Sequence, residues 1–254
     1  MTFSFVPSAL SATMVALACL ATTAQAQAPA NGSVALPAAA NNAASVTAPQ
    51  VVAHYAHLVH SNYSDTLAAA KAMQTAISAF TSQPSAATLA EARKTWLAAR
   101  EFYGQTEAFR FYGGPIDNDN GPEGRINAWP MDESFVDSVQ GKASAGLVNN
   151  RKFVISKKNL SAQNERGGEE NIATGWHAIE FFLWGQDLLE TGPGERSFED
   201  FVDGKAPNAD RRRQYLNVVT ELLIDDLTSL EKAWAPDAKN NYRARFVKGN
   251  RESL

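Results

Sequence analysis

The stretch Gly175-Trp176-His177-Ala178-Ile179-Glu180-Phe181-Phe182-Leu183-Trp184-Gly185 decides the fold. Apart from His177 and Glu180, its side chains are apolar, and they fall on every side of a helix rather than along one stripe. Such a helix is expected to be buried all round, so other helices must surround it. No strand pattern competes, because period-two alternation and Val/Ile/Thr runs are scarce along the chain.

The helix is expected to start near Asn171 and to hold Ile172 to Trp184. Its neighbours are read from periodicity. Val52, Tyr55, Val59, Tyr63, Thr66, Ala70, Met73 and Ile77 form one stripe, which predicts a helix over 51–80. Pro84 closes it, and Ser85 starts the next. Leu89, Trp96, Tyr103 and Phe111 mark the buried side of a second helix over 87–110. Leu216, Val219, Leu223, Leu227 and Leu230 give a further helix over 209–234. Between them, residues 111–134 and 185–207 are rich in Gly and Pro and read as long ordered loops, with a short helix after Asp132. Residues 141–170 read mostly as loop. Antiparallel amphipathic helices around a buried one make an all-α, up-and-down helical bundle.

Composition sets the outer bounds. The chain has 254 residues, 23 Lys+Arg against 27 Asp+Glu and a net charge of −4, which argues against nucleic acid as a partner. Residues 1–26 contain no charged side chain; the apolar run Ala9–Ala21 and the small-x-small Ala24-Gln25-Ala26 read as a signal peptide. The competing readings are a short membrane anchor and, through Cys19, a lipoprotein site. Cys19 is the sole cysteine, so cleavage after Ala26 would leave a chain without thiols. Residues 27–50, rich in Ala, Pro and Asn, read as a disordered linker.

The chemistry is carried by acids and a histidine on apolar faces. His177 and Glu180 are three apart and share a helix face with Phe181 and Trp184. Buried, they need a partner: each other, a cation or a metal, with imidazole plus carboxylate suiting iron or zinc. Glu107 continues the stripe of Leu89, Trp96, Arg100 and Tyr103, and reads either as a third ligand from a neighbouring helix or as the partner of Arg100 or Arg110. Those arginines, if buried, offer an anion site as a further alternative. His54, His57 and His60 read as a solvated face. Asp117-Asn118-Asp119-Asn120-Gly121 departs from the EF-hand spacing and reads as an Asx-rich turn.

Several separate segments, in order, resemble the imelysin family: Trp96–Arg100, Tyr103–Phe111, Gly114–Asp117, Ile126–Pro130 with Asp132-Glu133, Gly175-x-His177-x-x-Glu180-Phe181 with Leu183–Asp187, and Thr191–Gly194. The resemblance covers about residues 50–235. It implies an exported, largely helical protein tied to iron, in a family also classed as the M75 metallopeptidases. It places Gly175, His177 and Glu180 on the family's Gly-x-His-x-x-Glu motif and Glu107 on its acid from an earlier helix.

The resulting expectations are a periplasmic protein, with association with the outer membrane as a variant, that binds a divalent or ferric ion or its chelate. His177, Glu180 and Glu107 would be ligands, with Gly175, Arg100 and Asp117 supporting them. The alternatives are a zinc peptidase with Glu107 as base, and a metal-free structural domain. Membrane components of iron uptake are the implied partners. By the same resemblance, residues 51–235 are the bundle and residues 236–254 begin a second, truncated half, whose absence would favour a homodimer.

Overall fold

The structure, a computed structural model, describes residues 46–249. The signal peptide and all of the linker up to residue 45 lie outside the described residues. Among those described, the chain forms α1 (Ala48–Ser82), α2 (Ala86–Gly104), a 3-10 turn (Gln105–Phe109), α3 (Glu123–Ile126), α4 (Glu133–Val136), α5 (Gly146–Asn149), α6 (Lys157–Gln163), α7 (Gly175–Trp184), a second 3-10 turn (Phe198–Phe201), α8 (Ala209–Trp234) and α9 (Tyr242–Phe246). The only strand-like pairing among them is an isolated bridge between Val139 and Lys142. No helix among the described residues is long and apolar enough to cross a membrane.

Helices α1, α2, α7 and α8 close a ring in which α1 touches α2 and α8, and α7 touches the same two. The three-residue link through Pro84 makes α1 and α2 an antiparallel hairpin. Ser85 Oγ accepts the Thr88 N–H at 3.2 Å while Thr88 Oγ1 accepts the Ser85 N–H, which fixes the start of α2. The direction of α8 follows from two bonds: His60 to Glu231 near one end and Thr81 to Asn217 near the other, so α8 runs against α1. Likewise Arg93 reaches the Leu183 carbonyl and Trp96 the Trp176 carbonyl, so α7 runs against α2. The four helices therefore alternate up and down.

The core is continuous from Val59, Tyr63, Met73, Ile77 and Phe80 of α1, through Trp96 and Tyr103 of α2 and Trp176, Ile179 and Phe182 of α7, to Tyr215, Leu223, Leu227 and Trp234 of α8. Tyr215 is wholly buried; its ring lies 4.8 Å from that of Phe182, and its hydroxyl donates to the Ala173 carbonyl at 2.8 Å. A buried hydroxyl of this kind must find such an acceptor.

Several boundaries differ from expectation. Helix α1 begins three residues earlier, inside the stretch assigned to the linker, because Gln50 Oε1 accepts the Thr47 N–H at 2.8 Å and Pro49 fits a first turn. Helix α2 stops at Gly104 instead of 110. Helix α7 starts at Gly175, not near 171. The loop over 111–134 carries α3, and residues 141–170 carry α5 and α6, whereas α4 is the short helix expected after Asp132, which caps it. Apart from these boundaries, helix α9, in the segment assigned to the start of a second half, packs against the end of α8. The Tyr242 and Phe246 rings lie 5.0 and 5.3 Å from Trp234, and Phe246 lies 5.6 Å from Tyr55.

Candidate functional site

Helix α7 is not buried all round. Trp176, Ala178, Ile179, Phe181, Phe182 and Leu183 are buried, but His177, Glu180 and Trp184 line a cavity of about 390 Å³ with Trp96, Trp129, Met131, Glu133 and Asp187. A ten-residue helix at the edge of the ring presents one face outward, and the cavity is built on that face.

Two devices hold α7 in place. At its start Gly175 has φ +83°, and a Cβ there would lie 2.3 Å from the Ile126 carbonyl oxygen and 2.6 Å from that of Arg125. The close approach of α3 to α7 thus requires glycine. At its end the Arg93 guanidinium donates at 2.9 Å to the carbonyl of Leu183, an acceptor that the helix terminus leaves open, and at 2.9 Å to that of Arg196 in the following loop. Arg93 also lies over the Trp184 ring at 5.6 Å.

Within the cavity, His177 Nδ1 and Glu180 Oε2 are 3.0 Å apart. The His177 side chain is 16% exposed and that of Glu180 is 42% exposed, so the pair is open to solvent on one side. The Trp129 ring packs 4.7 Å from the imidazole. The carboxylate fixes the orientation of the ring and leaves Nε2 and the second carboxylate oxygen as donor atoms. Glu133 shares the cavity; burial pushes its carboxyl above the ordinary range, against the hydrogen bond from Gln186 and the charge of Arg196, with Asp132 and Asp187 adding to the rise. A half-buried carboxyl raised in this way inside a cleft marks a functional candidate.

Glu107 does not join the pair. It lies on the 3-10 turn, 48% exposed, and both its oxygens accept from Arg110 Nη1 at 3.0 Å. The second guanidinium nitrogen of Arg110 pairs with Glu123 at 2.9 Å. The change from α-helix to 3-10 turn after Gly104 advances each residue by about 120° instead of 100° and swings Glu107 off the core stripe. Glu107 is thus paired with Arg110 in the structure. Among the described residues no three of His, Cys, Asp or Glu gather to hold a metal ion.

Arg100 sits between the two acidic sites. Its guanidinium lies 5.3 to 5.8 Å from the rings of Tyr103, Trp96 and Trp176, and it donates to Asn127 Oδ1 at 2.9 Å. Burial lowers its pKa, while Tyr103, Glu180 and Glu107 oppose the shift. The Arg100 charge is thus felt by both carboxylates, although Glu107 is bonded directly to Arg110.

Asp117 lies apart from the cavity. Its carboxylate accepts the Phe111 N–H, and its charge adds to the burial that pushes the Tyr63 and Tyr55 hydroxyls up. Asn118 Oδ1 accepts the Asn120 N–H at 2.9 Å, the Asx turn expected there. His54 and His57 are exposed, and His60 pairs with Glu231 at 2.9 Å. Sequence reasoning missed Glu133, Asp187 and Trp129 as cavity residues. All three nonetheless fall in segments that carry the family resemblance, Ile126–Pro130 with Asp132-Glu133 and Leu183–Asp187, and that was the signal available.

The fold and this cavity define a four-helix, up-and-down protein with a solvent-open His–Glu pair between tryptophans. The chain belongs to the imelysin family, whose model, Peptidase M75, matches residues 59–254. Over 71 residues it is 37% identical to iron-regulated protein A of Synechococcus elongatus, covering 28% of this chain and 19% of that relative. A solved structure from Parabacteroides distasonis, described as an iron-regulated protein A precursor, matches with a TM-score of 0.56 at 23% identity, over 82% of this chain and 52% of that one. At that identity the likeness is one of fold. The match spans about half the length of the structural relative and less than a fifth of the curated one.

Proposed function

We propose that this chain is an exported, periplasmic protein that takes up a ferric or divalent ion, presented as a small chelate, at the His177–Glu180 cavity. The observation that carries the reading is the pair itself: a borderline imidazole nitrogen and a hard carboxylate oxygen, oriented by each other, open on one side to a cavity of about 390 Å³. Imidazole and carboxylate suit iron and zinc. Two protein donors do not complete a coordination sphere, so the remaining positions fall to solvent or to the ligand that carries the ion. The name of the curated relative, iron-regulated protein A, favours iron as the cargo. Export rests on the apolar, uncharged residues 1–26. Membrane components of iron uptake would be its partners.

Anaerobic calorimetry of the chain with Fe(II), ferric citrate and Zn(II) tests the reading. The expected result is stoichiometric uptake that is lost in His177→Ala and in Glu180→Ala and retained in Glu107→Gln. Absence of binding, or binding unchanged in both cavity variants, overturns it.

Glu133 favours a second reading, a zinc peptidase of the M75 type. A raised carboxyl in the same cavity as His177 and Glu180 is placed to accept a proton from a reacting water. Cleavage of an unfolded peptide, abolished by a chelator and by Glu133→Gln, would support it; no cleavage with zinc supplied would dismiss it.

A further inference from the structure

The walls of the cavity carry aromatic surface that a metal ion does not use. Three tryptophans, Trp96, Trp129 and Trp184, line it together with three carboxylates, Glu133, Glu180 and Asp187. Its lining includes no lysine or arginine among the described residues. The lining is thus aromatic and anionic at once. Aromatic faces attract cations through the ring quadrupole, best of all at tryptophan, and the attraction grows when the cation is weakly hydrated.

Two of these rings already hold a cation from within the protein. Arg93 lies over Trp184 at 5.6 Å, and Arg100 over Trp96 at 5.8 Å. Trp129 has no guanidinium over it among the described contacts, and is 69% exposed although its ring is seated against His177 at 4.7 Å. An indole fixed at a cavity rim with most of its surface in water is a surface that a ligand would cover. The volume falls within the range of small-molecule sites.

We infer that the cavity binds a soft organic cation of the quaternary ammonium class, seated against Trp129 with Glu133 and Asp187 supplying the countercharge. This occupant shares the cavity with the proposed metal cargo but needs no metal, so the two readings fail separately. A hydrated metal ion would use His177 and Glu180 and gain little from the tryptophans. An alkylated ammonium gains from the tryptophans and needs no ligating nitrogen.

The test is calorimetry and ligand-detected NMR on the full chain, with EDTA present throughout, using choline and its neutral isostere 3,3-dimethylbutan-1-ol as probes. Choline should bind saturably, and the isostere about tenfold more weakly, since shape is kept and charge removed. Trp129→Ala should weaken choline binding at least fivefold. Asp187→Asn, at an exposed position, should weaken it several-fold with an unchanged melting curve. Equal affinity for the two probes, full affinity in Trp129→Ala, or no binding at millimolar choline overturns the inference. Ferric uptake, measured separately without choline, is left untouched by that outcome.

Discussion

Asp137 Oδ2 lies 2.6 Å from Arg212 Nε, with the carboxylate fully buried and the guanidinium 5% exposed. Arg196, 6% exposed, donates to the same oxygen at 3.2 Å and lies over the Phe181 ring of α7 at 4.9 Å. One carboxylate thus ties α8, the loop after α7 and the cavity helix together. Asp137→Asn leaves two buried guanidinium groups without their shared anion. We expect a loss of roughly 3–5 kcal/mol, the usual cost of removing one partner of a buried pair, read as a lower midpoint in urea.

The same residue sets a pH dependence. Burial alone would raise the Asp137 carboxyl, but hydrogen bonding from Arg212 and the charges of Arg196 and Arg212 outweigh it and hold the pKa below the ordinary value. A depressed folded pKa adds stability that is fully present above the unfolded value of about 3.9 and is lost as pH falls through the lower folded value. The gap in melting temperature between wild type and Asp137→Asn should therefore be constant from neutrality to about pH 5 and close below about pH 4. A gap that stays open in strong acid would contradict this assignment.

Gly175 should resist substitution for reasons of backbone geometry. Alanine there must adopt φ +83° and place its Cβ 2.3 Å from the Ile126 oxygen. Strain and clash together should cost about 2 kcal/mol or more. Because α3 or α7 must shift to relieve the contact, metal uptake by Gly175→Ala should fall even where the variant remains folded. Thermal melts and calorimetry on the same sample check both expectations.

Glu107 and Glu180 should behave differently when neutralised. Glu107→Gln breaks a half-exposed pair with Arg110, and the stability change should stay within about 1 kcal/mol. Metal affinity should hardly move. Glu180→Gln removes the carboxylate that orients His177, and affinity should fall by at least about 10- to 100-fold, the range for groups that orient a metal ligand. Equal losses in the two variants would return Glu107 to the metal site.

Arg100→Lys keeps the charge but loses planar stacking among Tyr103, Trp96 and Trp176 and the reach to Asn127. A point charge cannot replace a stacked guanidinium. The variant should melt several degrees lower, and near-ultraviolet circular dichroism should report altered packing of the tryptophans.

The residues themselves determined the all-α class, the bundle and most of its helices. Helix α8 occupies the expected span of 209–234, because five leucines and valines at helical spacing leave no competing period. His177 and Glu180 were legible as a pair because residues three apart must meet on a helix. The tertiary structure alone decided the rest. Periodicity assumes a constant 100° per residue, so the tightening after Gly104 that turns Glu107 toward Arg110 leaves no mark in the pattern. An apolar segment records that burial is favourable but not how many sides neighbours will cover, so the open face of α7 was hidden. Asp187 and Trp129 reach the cavity from loops and Glu133 from the first residue of the short helix α4, where position follows from caps, ion pairs and close contacts between distant segments. Those contacts are set by the packed chain, not by local spacing.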